Sequence, residues 1–415
     1  MTLWNRSSIL ASCLLGLMSL SSWASYYETL PEGVRTLAYR QVFVNNAQGS
    51  YGSSGDYRDY GFKVNFNAEL LENVNDFSKY YFGELKKISP EAYDDFSFGE
   101  YVSDIKAKGD VKALGFGYGI TPRLTVYGFL PIYSVKVNVL FNRTQGNNHE
   151  AVLASVEQNN KSSNFDAAII QGITENLPDG SGETLQSVLV NYFGYEPMGT
   201  WEGRGLGDAE VGAMYRLTDW DYGGLLMSAG AIAPSGRKDN PDMLQDVAFG
   251  EGHWSFFSEF GGGVKPLESI SLDTWTRYTY KLAYDDSIRL PEDADFPLTK
   301  RKATTRIKPG DKWEWNARVS VSPTKALTLS GTYIYEKVFQ AKYHSAFADA
   351  NKILQDKSAS EGQSIRASLG ISSIDAFLSS KFFAPMTTEI AWQKLFSGKN
   401  RDKYDRIDLE LKVLF

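Results

Sequence analysis

The stretch Ile407-Asp408-Leu409-Glu410-Leu411-Lys412-Val413-Leu414-Phe415 puts Ile407, Leu409, Leu411, Val413 and Phe415 on one face of an extended chain. Asp408, Glu410 and Lys412 fall on the other. Successive side chains of a strand point to opposite sides, so this is a strand with one apolar and one charged face. The same rhythm recurs upstream. In 313–321 Trp313, Trp315, Ala317, Val319 and Val321 alternate with Glu314, Asn316, Arg318 and Ser320. In 270–282 Ile270, Leu272, Tyr278, Tyr280 and Leu282 share a face opposed by Asp273, Arg277 and Lys281. Segments 325–337 and 209–217 behave alike, the latter setting Val211, Ala213 and Tyr215 against Glu210 and Arg216.

Alternation alone fits a half-buried strand in a soluble sandwich as well as a membrane wall. Three features favour the wall. Many segments reach ten residues or more, beyond the five or six usual in globular sheets. Tyr and Trp recur near segment ends, and full charges sit at mid-strand on the opposite face, as in a transmembrane barrel. The connections also alternate in length. Short ones fall at 121–123, 218–221, 265–268 and 323–324, and long ones at about 46–102, 142–204, 235–251, 285–310 and 341–360.

Counting back from Phe415 predicts strands near 403–415, 383–396, 361–374, 325–340, 311–322, 268–284, 252–264, 221–233, 205–217, 121–140 and 104–119. A twelfth strand is needed to bring both termini to the side of the short turns. It is 34–45 or 57–69, and the first is favoured because 25–33 then becomes a short periplasmic lead. In the second reading 25–55 would fold into the lumen. A hairpin hidden in 142–204 would raise the count to fourteen. The expected fold is thus an all-β, transmembrane antiparallel barrel with short periplasmic turns and long, partly helical extracellular loops. Helical spacing marks Leu70, Leu71, Val74 and Phe77. It also marks Phe165, Ala168, Ile169 and Ile173, then Leu185, Val188, Leu189, Tyr192 and Phe193, then Phe347, Ala350, Ile353 and Leu354.

Composition agrees with a barrel. The chain holds 24 Tyr, 24 Phe and 9 Trp against 7 Met and 1 Cys, so aromatics are the unusual excess. Mean hydropathy is −0.32, and no apolar run after the N-terminus reaches the ~20 residues of a membrane helix. Only helices and closed barrels satisfy every backbone amide in lipid. A net charge of −7 argues against a nucleic-acid phosphate binder.

Arg6, the apolar run 9–20 and Ser22-Trp23-Ala24 read as the three zones of a secretory signal peptide, 1–24, leaving 25–415 as one barrel domain. Leu10-Ala11-Ser12-Cys13 is lipobox-like, but most of the apolar run follows Cys13. Cleavage after Ala24 removes the sole cysteine and with it any disulfide or cysteine-ligated metal.

The sequence holds no convincing catalytic or metal constellation. His149, His253 and His344 are the only histidines, and none belongs to a zincin pair, a nucleophile elbow or a phosphate-cradling loop. A serine and a histidine could still meet across strands. No cofactor, no metal and no enzymatic activity are expected. Gly115-Phe116-Gly117-Tyr118-Gly119 sits inside a strand pattern, where glycine allows curvature or close approach.

If the apolar faces meet lipid, Glu210, Arg216, Arg277, Glu314, Arg318, Asp408, Glu410 and Lys412 point into the lumen. Glu259 joins them, and it lies about as far from the 266–268 turn as Arg277, which suggests a cross-strand pair. Such charges can line a water-filled path or form a satisfied network closing a narrow barrel. Phe165, Ile169, Ile173, Leu185, Leu189, Tyr192 and Phe193 are candidates for an apolar site in the loops, with simple helix packing as the alternative.

The strings Leu30-Pro31-Glu32-Gly33-Val34-Arg35-Thr36-Leu37, Leu114-Gly115-Phe116-Gly117-Tyr118-Gly119-Ile120-Thr121-Pro122-Arg123-Leu124-Thr125-Val126, Leu130-Pro131-Ile132 and Gly205-Leu206-Gly207-Asp208-Ala209-Glu210-Val211-Gly212-Ala213-Met214-Tyr215-Arg216-Leu217 resemble outer-membrane channels related to the long-chain fatty-acid transporters. They are most similar to the branch named after phenol meta-cleavage degradation gene clusters. The C-terminal half matches only by its barrel pattern. The resemblance implies passive uptake of small hydrophobic or aromatic molecules across the bacterial outer membrane. It also implies an N-terminal hatch, which would fall on 25–45, and a lateral opening that no sequence mark locates. A terminal aromatic, Phe415, is what the barrel-insertion machinery of this class recognises. Expected partners are therefore outer-membrane lipid and lipopolysaccharide, that machinery and a hydrophobic small molecule, with no nucleic acid and a monomeric state. An occluded barrel whose helical loops bind a partner and a general polar porin remain open alternatives.

Overall fold

A computed structural model describes residues 26–59, 63–72, 76–143, 148–159, 168–169, 171–173, 186, 188–294 and 298–415. The signal segment 1–24, Val74, Phe165 and Leu185 lie outside the described residues. Twelve antiparallel strands form a closed ring: β1 (Arg35–Tyr51), β2 (Ser97–Thr121), β3 (Leu124–Arg143), β4 (Ala209–Trp220), β5 (Gly223–Ala233), β6 (Ser255–Leu267), β7 (Ile270–Lys281), β8 (Lys312–Thr324), β9 (Leu327–Val338), β10 (Ser360–Ser372), β11 (Met386–Lys399) and β12 (Arg401–Leu414). Closure comes from β1, which pairs with β12 through Thr36↔Leu414 and with β2 through Arg35↔Tyr118. The first strand is therefore the favoured one of the two candidates, though it runs on to Tyr51.

The outward faces are those read from the alternation. Val211, Leu272, Tyr280, Trp315, Val319, Leu329, Ile390 and Ile407 are all exposed. Their inward neighbours Asp273, Arg318, Asp408 and Glu410 are buried. Continuous apolar surface around a whole ring far exceeds the few hundred Å² that soluble monomers expose, whereas lipid satisfies it at no hydration cost. Outer aromatics tie the wall locally. The Trp313 indole donates to Thr276 Oγ1 at 2.6 Å and the Trp315 indole to Thr274 Oγ1 at 3.0 Å. The chain is a transmembrane β-barrel.

Five of the six loop-end connections are long. The 52–96 insertion carries helices Asp76–Ile88 and Pro90–Asp95. Ser89 caps the second by accepting from the Ala92 amide at 3.2 Å, and Pro90 occupies its first turn, where a missing amide proton costs nothing. Phe82, Leu85 and Phe96 from this insertion and Phe98 at the start of β2 pack with Val42, Val111, Val135 and Val137, so apolar side chains fill the loop end between β1, β2 and β3.

Several details differ from the sequence expectation. The 142–204 insertion ends in a strand, Trp201–Leu206, paired to the loop-end half of β3 on the edge that β4 takes nearer the turns, so it extends the wall in line with β4, and among the described residues no extra hairpin enters the ring. Within 188–193 the chain makes a wide helical turn, Val188–Tyr192, instead of an α-helix. The segments 285–310 and 341–360 hold a second, three-stranded sheet: Tyr284–Arg289, Lys302–Lys308 and Lys342–His344. Helix Ala348–Asp356 covers it with Ala350 and Leu354, matching the predicted spacing. At the turn end, the β10–β11 connection includes the short helix Ile374–Leu378, which no pattern announced.

The lumen as candidate functional site

The N-terminal lead corrects two expectations. Of the segment expected as a short periplasmic lead, 25–33, the described residues 26–33 lie against the barrel mouth, and the hatch expected over 25–45 is mostly wall, because 35–45 belong to β1. What enters the mouth at the turn end is the short piece before it. The Leu30 amide donates to Thr125 Oγ1 at 2.8 Å, and the Gly33 amide to the Gly119 carbonyl at 2.9 Å. Gly119 is glycine because a Cβ there would collide with the Pro31 and Leu30 carbonyl oxygens. Tyr26 is thereby turned inward and buried.

Tyr26 occupies a built seat. Its ring stacks on Trp275 of β7 with centroids 4.8 Å apart and planes 8° from parallel. Its hydroxyl donates to Glu259 Oε1 of β6 at 2.5 Å, and its amide to Asp273 Oδ1 at 3.0 Å. Asp273 is itself held by Arg318 of β8 at 2.9 Å. Met214, Leu226 and Tyr27 complete the apolar walls. Burial, with the Glu259 carboxylate beside it, pushes the Tyr26 phenol far above its ordinary range. It therefore stays a proton donor at every physiological pH.

Above this seat the lumen is lined by charge. A cavity of ≈ 160 Å³ lies among residues of β1 and β3–β12. The expected Glu259–Arg277 pair does not form, although the two stand opposite each other in the β6–β7 register. Arg277 reaches instead to Glu210 of β4, donating at 2.7 and 3.2 Å, and its guanidinium lies 3.8 Å from the centroid of Phe257. Tyr127 donates to the same Glu210 at 3.1 Å. The guanidinium fork engages both oxygens of Glu210, a bidentate match, while Glu259 accepts from Tyr26 and, at 3.5 Å, from Ser228.

On the opposite wall Asp408 gathers three guanidiniums: Arg40 at 2.5 Å, Arg406 at 3.3 Å and Arg366. Arg366 also holds Glu389 at 2.7 Å. Further toward the loop end, Lys312 bridges Glu336 at 2.5 Å and Glu314 at 3.1 Å, and Arg401 joins Glu336 at 2.6 Å. Lys412 pairs with Glu410 at 2.8 Å. Buried ions need such partners, since an isolated one costs several kcal/mol.

At the loop rim, Glu251 bonds Lys281 at 2.7 Å and His253 Nε2 at 3.1 Å, while Ser255 lies 3.3 Å from His253 Nδ1. Burial opposes charge on Glu251, but Lys281 and His253 outweigh it and hold the carboxyl well below its usual range. The sequence carried one signal for this trio, the His-x-Ser string at a strand start. Glu251 is committed to Lys281, so the group ties the 233–255 loop to β7.

Among the sequence candidates, Glu210, Glu259, Arg277, Glu314, Arg318 and Glu410 line the cavity. Asp408 sits just behind it, and Arg216 donates to the Pro122 carbonyl at the turn end instead. Ile169, Ile173, Leu189 and Phe193 are buried in the apolar cluster with Tyr192 packed against it. They form packed interior at the loop end and do not line the cavity. Sequence reasoning missed Tyr26, Trp275, Arg40, Arg366, Arg401 and Arg406. The two arginines of β12 were within reach of the alternation, but Tyr26 precedes the first strand and belongs to no periodic pattern.

No family model matches the chain, and no curated protein matches it in sequence. Solved structures do. An outer-membrane channel from Pseudomonas putida F1 is 14% identical over 96% of this chain and 100% of that one, with a TM-score of 0.53. The toluene transporter of Pseudomonas putida covers 93% of this chain and 90% of its own at 9% identity and a TM-score of 0.33. A Pseudomonas aeruginosa homologue of the fatty-acid transporter is 9% identical over 94% of this chain and 92% of its own, with a TM-score of 0.32. The first of these likenesses extends to the whole fold.

Proposed function

We propose that the protein is a bacterial outer-membrane channel for passive uptake of small hydrophobic or aromatic molecules. The observation that carries this reading is the Tyr26 seat. A phenol ring stacks on Trp275 and hydrogen-bonds Glu259 inside the lumen, so the turn-end mouth has the shape and chemistry to hold an aromatic molecule once the lead swings out. The P. putida channel of the same fold supports the reading. The short turns face the periplasm, the insertions face outside, and 25–415 works as one monomeric unit set among lipid and lipopolysaccharide. Phe415 closes the seam by accepting from the Arg35 amide at 2.8 Å and remains exposed, as a handle for insertion machinery must be.

A general polar pore is the second reading, favoured by the charged cavity lining. Uptake into proteoliposomes separates the two. Aromatic probes should enter faster than sugars of equal size. Equal rates for both would replace the first reading by the second, and no flux above protein-free vesicles would remove both.

A further inference from the structure

Strands six places apart in a twelve-strand ring stand opposite each other, so β10, β11, β12 and β1 face β4, β5, β6 and β7 across the lumen. The two walls lining the cavity differ in sign. The first presents four guanidiniums, Arg40, Arg366, Arg401 and Arg406, against two carboxylates, Glu389 and Glu410. The second, with its flanking loops, presents four carboxylates, Asp208, Glu210, Glu251 and Glu259, against two cations, Arg277 and Lys281. Between them, Lys312 and Arg318 on β8 balance Glu314 and Glu336. Behind the lining, Asp408 takes three of those guanidiniums as partners and Lys412 on the same strand pairs with Glu410, so these two further charges cancel in the sum. The lumen is thus near neutral in total yet polarised from side to side.

We infer that this cavity carries a transverse electric field and selects small aromatic molecules whose head group bears both charges, in preference to neutral or singly charged ones. The inference rests on the channel reading and names its substrate class. Opposed charges inside low-dielectric walls focus field lines, so a dipolar head turns its anionic end to Arg406 and Arg366 and its cationic end to Glu210 and Glu259. A neutral head gains nothing there. A single charge is attracted by one wall and repelled by the other. The aromatic body is left to lie against Phe129 and Trp275, which line the same cavity.

Four probes with one aryl body test this in proteoliposomes: L-phenylalanine, N-acetyl-phenylalanine, phenylalanine amide and N-acetyl-phenylalanine amide, which are zwitterion, anion, cation and neutral. After subtracting protein-free rates, phenylalanine should enter about fivefold faster than the other three at ~0.1 M KCl. The ratio should shrink toward one at ~1 M, where the screening length drops to about 3 Å. The double variant Arg406→Gln/Glu259→Gln should flatten the ratio at low salt, and the salt series on the unaltered protein stands if that variant does not fold. Equal rates for the zwitterion and the neutral probe at low salt overturn the inference while leaving the channel intact. A fastest anion or cation overturns it too. No protein-dependent flux of any probe removes the channel reading itself.

Discussion

Tyr26 lies flat on Trp275, 4.8 Å between ring centroids, although 249 positions of chain separate them by number from 26 to 275. The contact joins the segment before the first strand to the seventh strand, inside the barrel. It converts a short lead into a stopper, and the stopper has the chemistry of a phenolic ligand.

The close approach at Gly119 positions that stopper. Gly119→Val should push the lead away from β2, since its Cβ has no room beside Pro31. The barrel should still form, because the outward and inward faces are untouched. Limited proteolysis is the check: cleavage within 26–33 should appear in the variant and be absent from the parent. Equal resistance would mean that the lead is held elsewhere.

Arg277 and Glu210 form a bidentate charge pair across the lumen side of β4 and β7. Removing one partner leaves the other buried and uncompensated, which costs about 3–5 kcal/mol. Arg277→Met and Glu210→Gln should each lower the urea midpoint for unfolding from detergent. The double variant should be markedly less destabilised than the two single losses added together. Simple additivity would show that the pair is not coupled.

The apolar outer face can be tested by one substitution. Val319→Arg places a cation on the lipid side of β8 at mid-strand, at a cost of about 2–4 kcal/mol near the bilayer centre. Ser330→Arg, on the neighbouring β9, points to the lumen. Urea unfolding in bilayers should penalise the first much more than the second. Equal penalties would contradict the assignment of faces.

Acid should loosen the loop end before the wall. Asp242 pairs with Arg289 at 2.7 Å and Lys302 at 2.6 Å. Burial opposes its charge, yet these two cations leave its carboxyl below its ordinary value of 3.8, as Lys281 and His253 do for Glu251 below 4.5. A carboxyl depressed in the folded state stabilises fully above its ordinary value, and that contribution fades as pH falls below it. Amide-exchange protection in 240–256 and 284–308 should therefore drop below about pH 4.5 while β8–β12 stay protected. Unchanged protection at pH 3 would contradict this.

Much of the barrel was legible because its wall obeys one rule. Residues such as Trp315 and Arg318 declare their sides by parity, and the strand count follows. Side-chain partnership was less legible. Arg277 and Glu259 are opposite in register, but a long guanidinium chooses among all carboxylates within its reach across the lumen, and that choice depends on β4 as well as β6. The outer sheet escaped detection because its strands are short and Asp285-Asp286 interrupts any apolar alternation in the first. The Tyr26 seat left only a weak trace, two tyrosines just after the expected cleavage zone. Loop residues such as Ile169 and Leu189 were marked as apolar correctly, but periodicity cannot tell a packed interior from a ligand surface.

Planar-bilayer recording of the parent and Tyr26→Ala tests the central claim most directly, that the lumen is the path and Tyr26 its stopper. The variant loses a stacked aromatic pair worth about 0.5–1.5 kcal/mol beyond its buried area, and a charge-assisted hydrogen bond as well. The account predicts low, flickering conductance for the parent and a larger, steady conductance for the variant. Identical currents from the two proteins would contradict it.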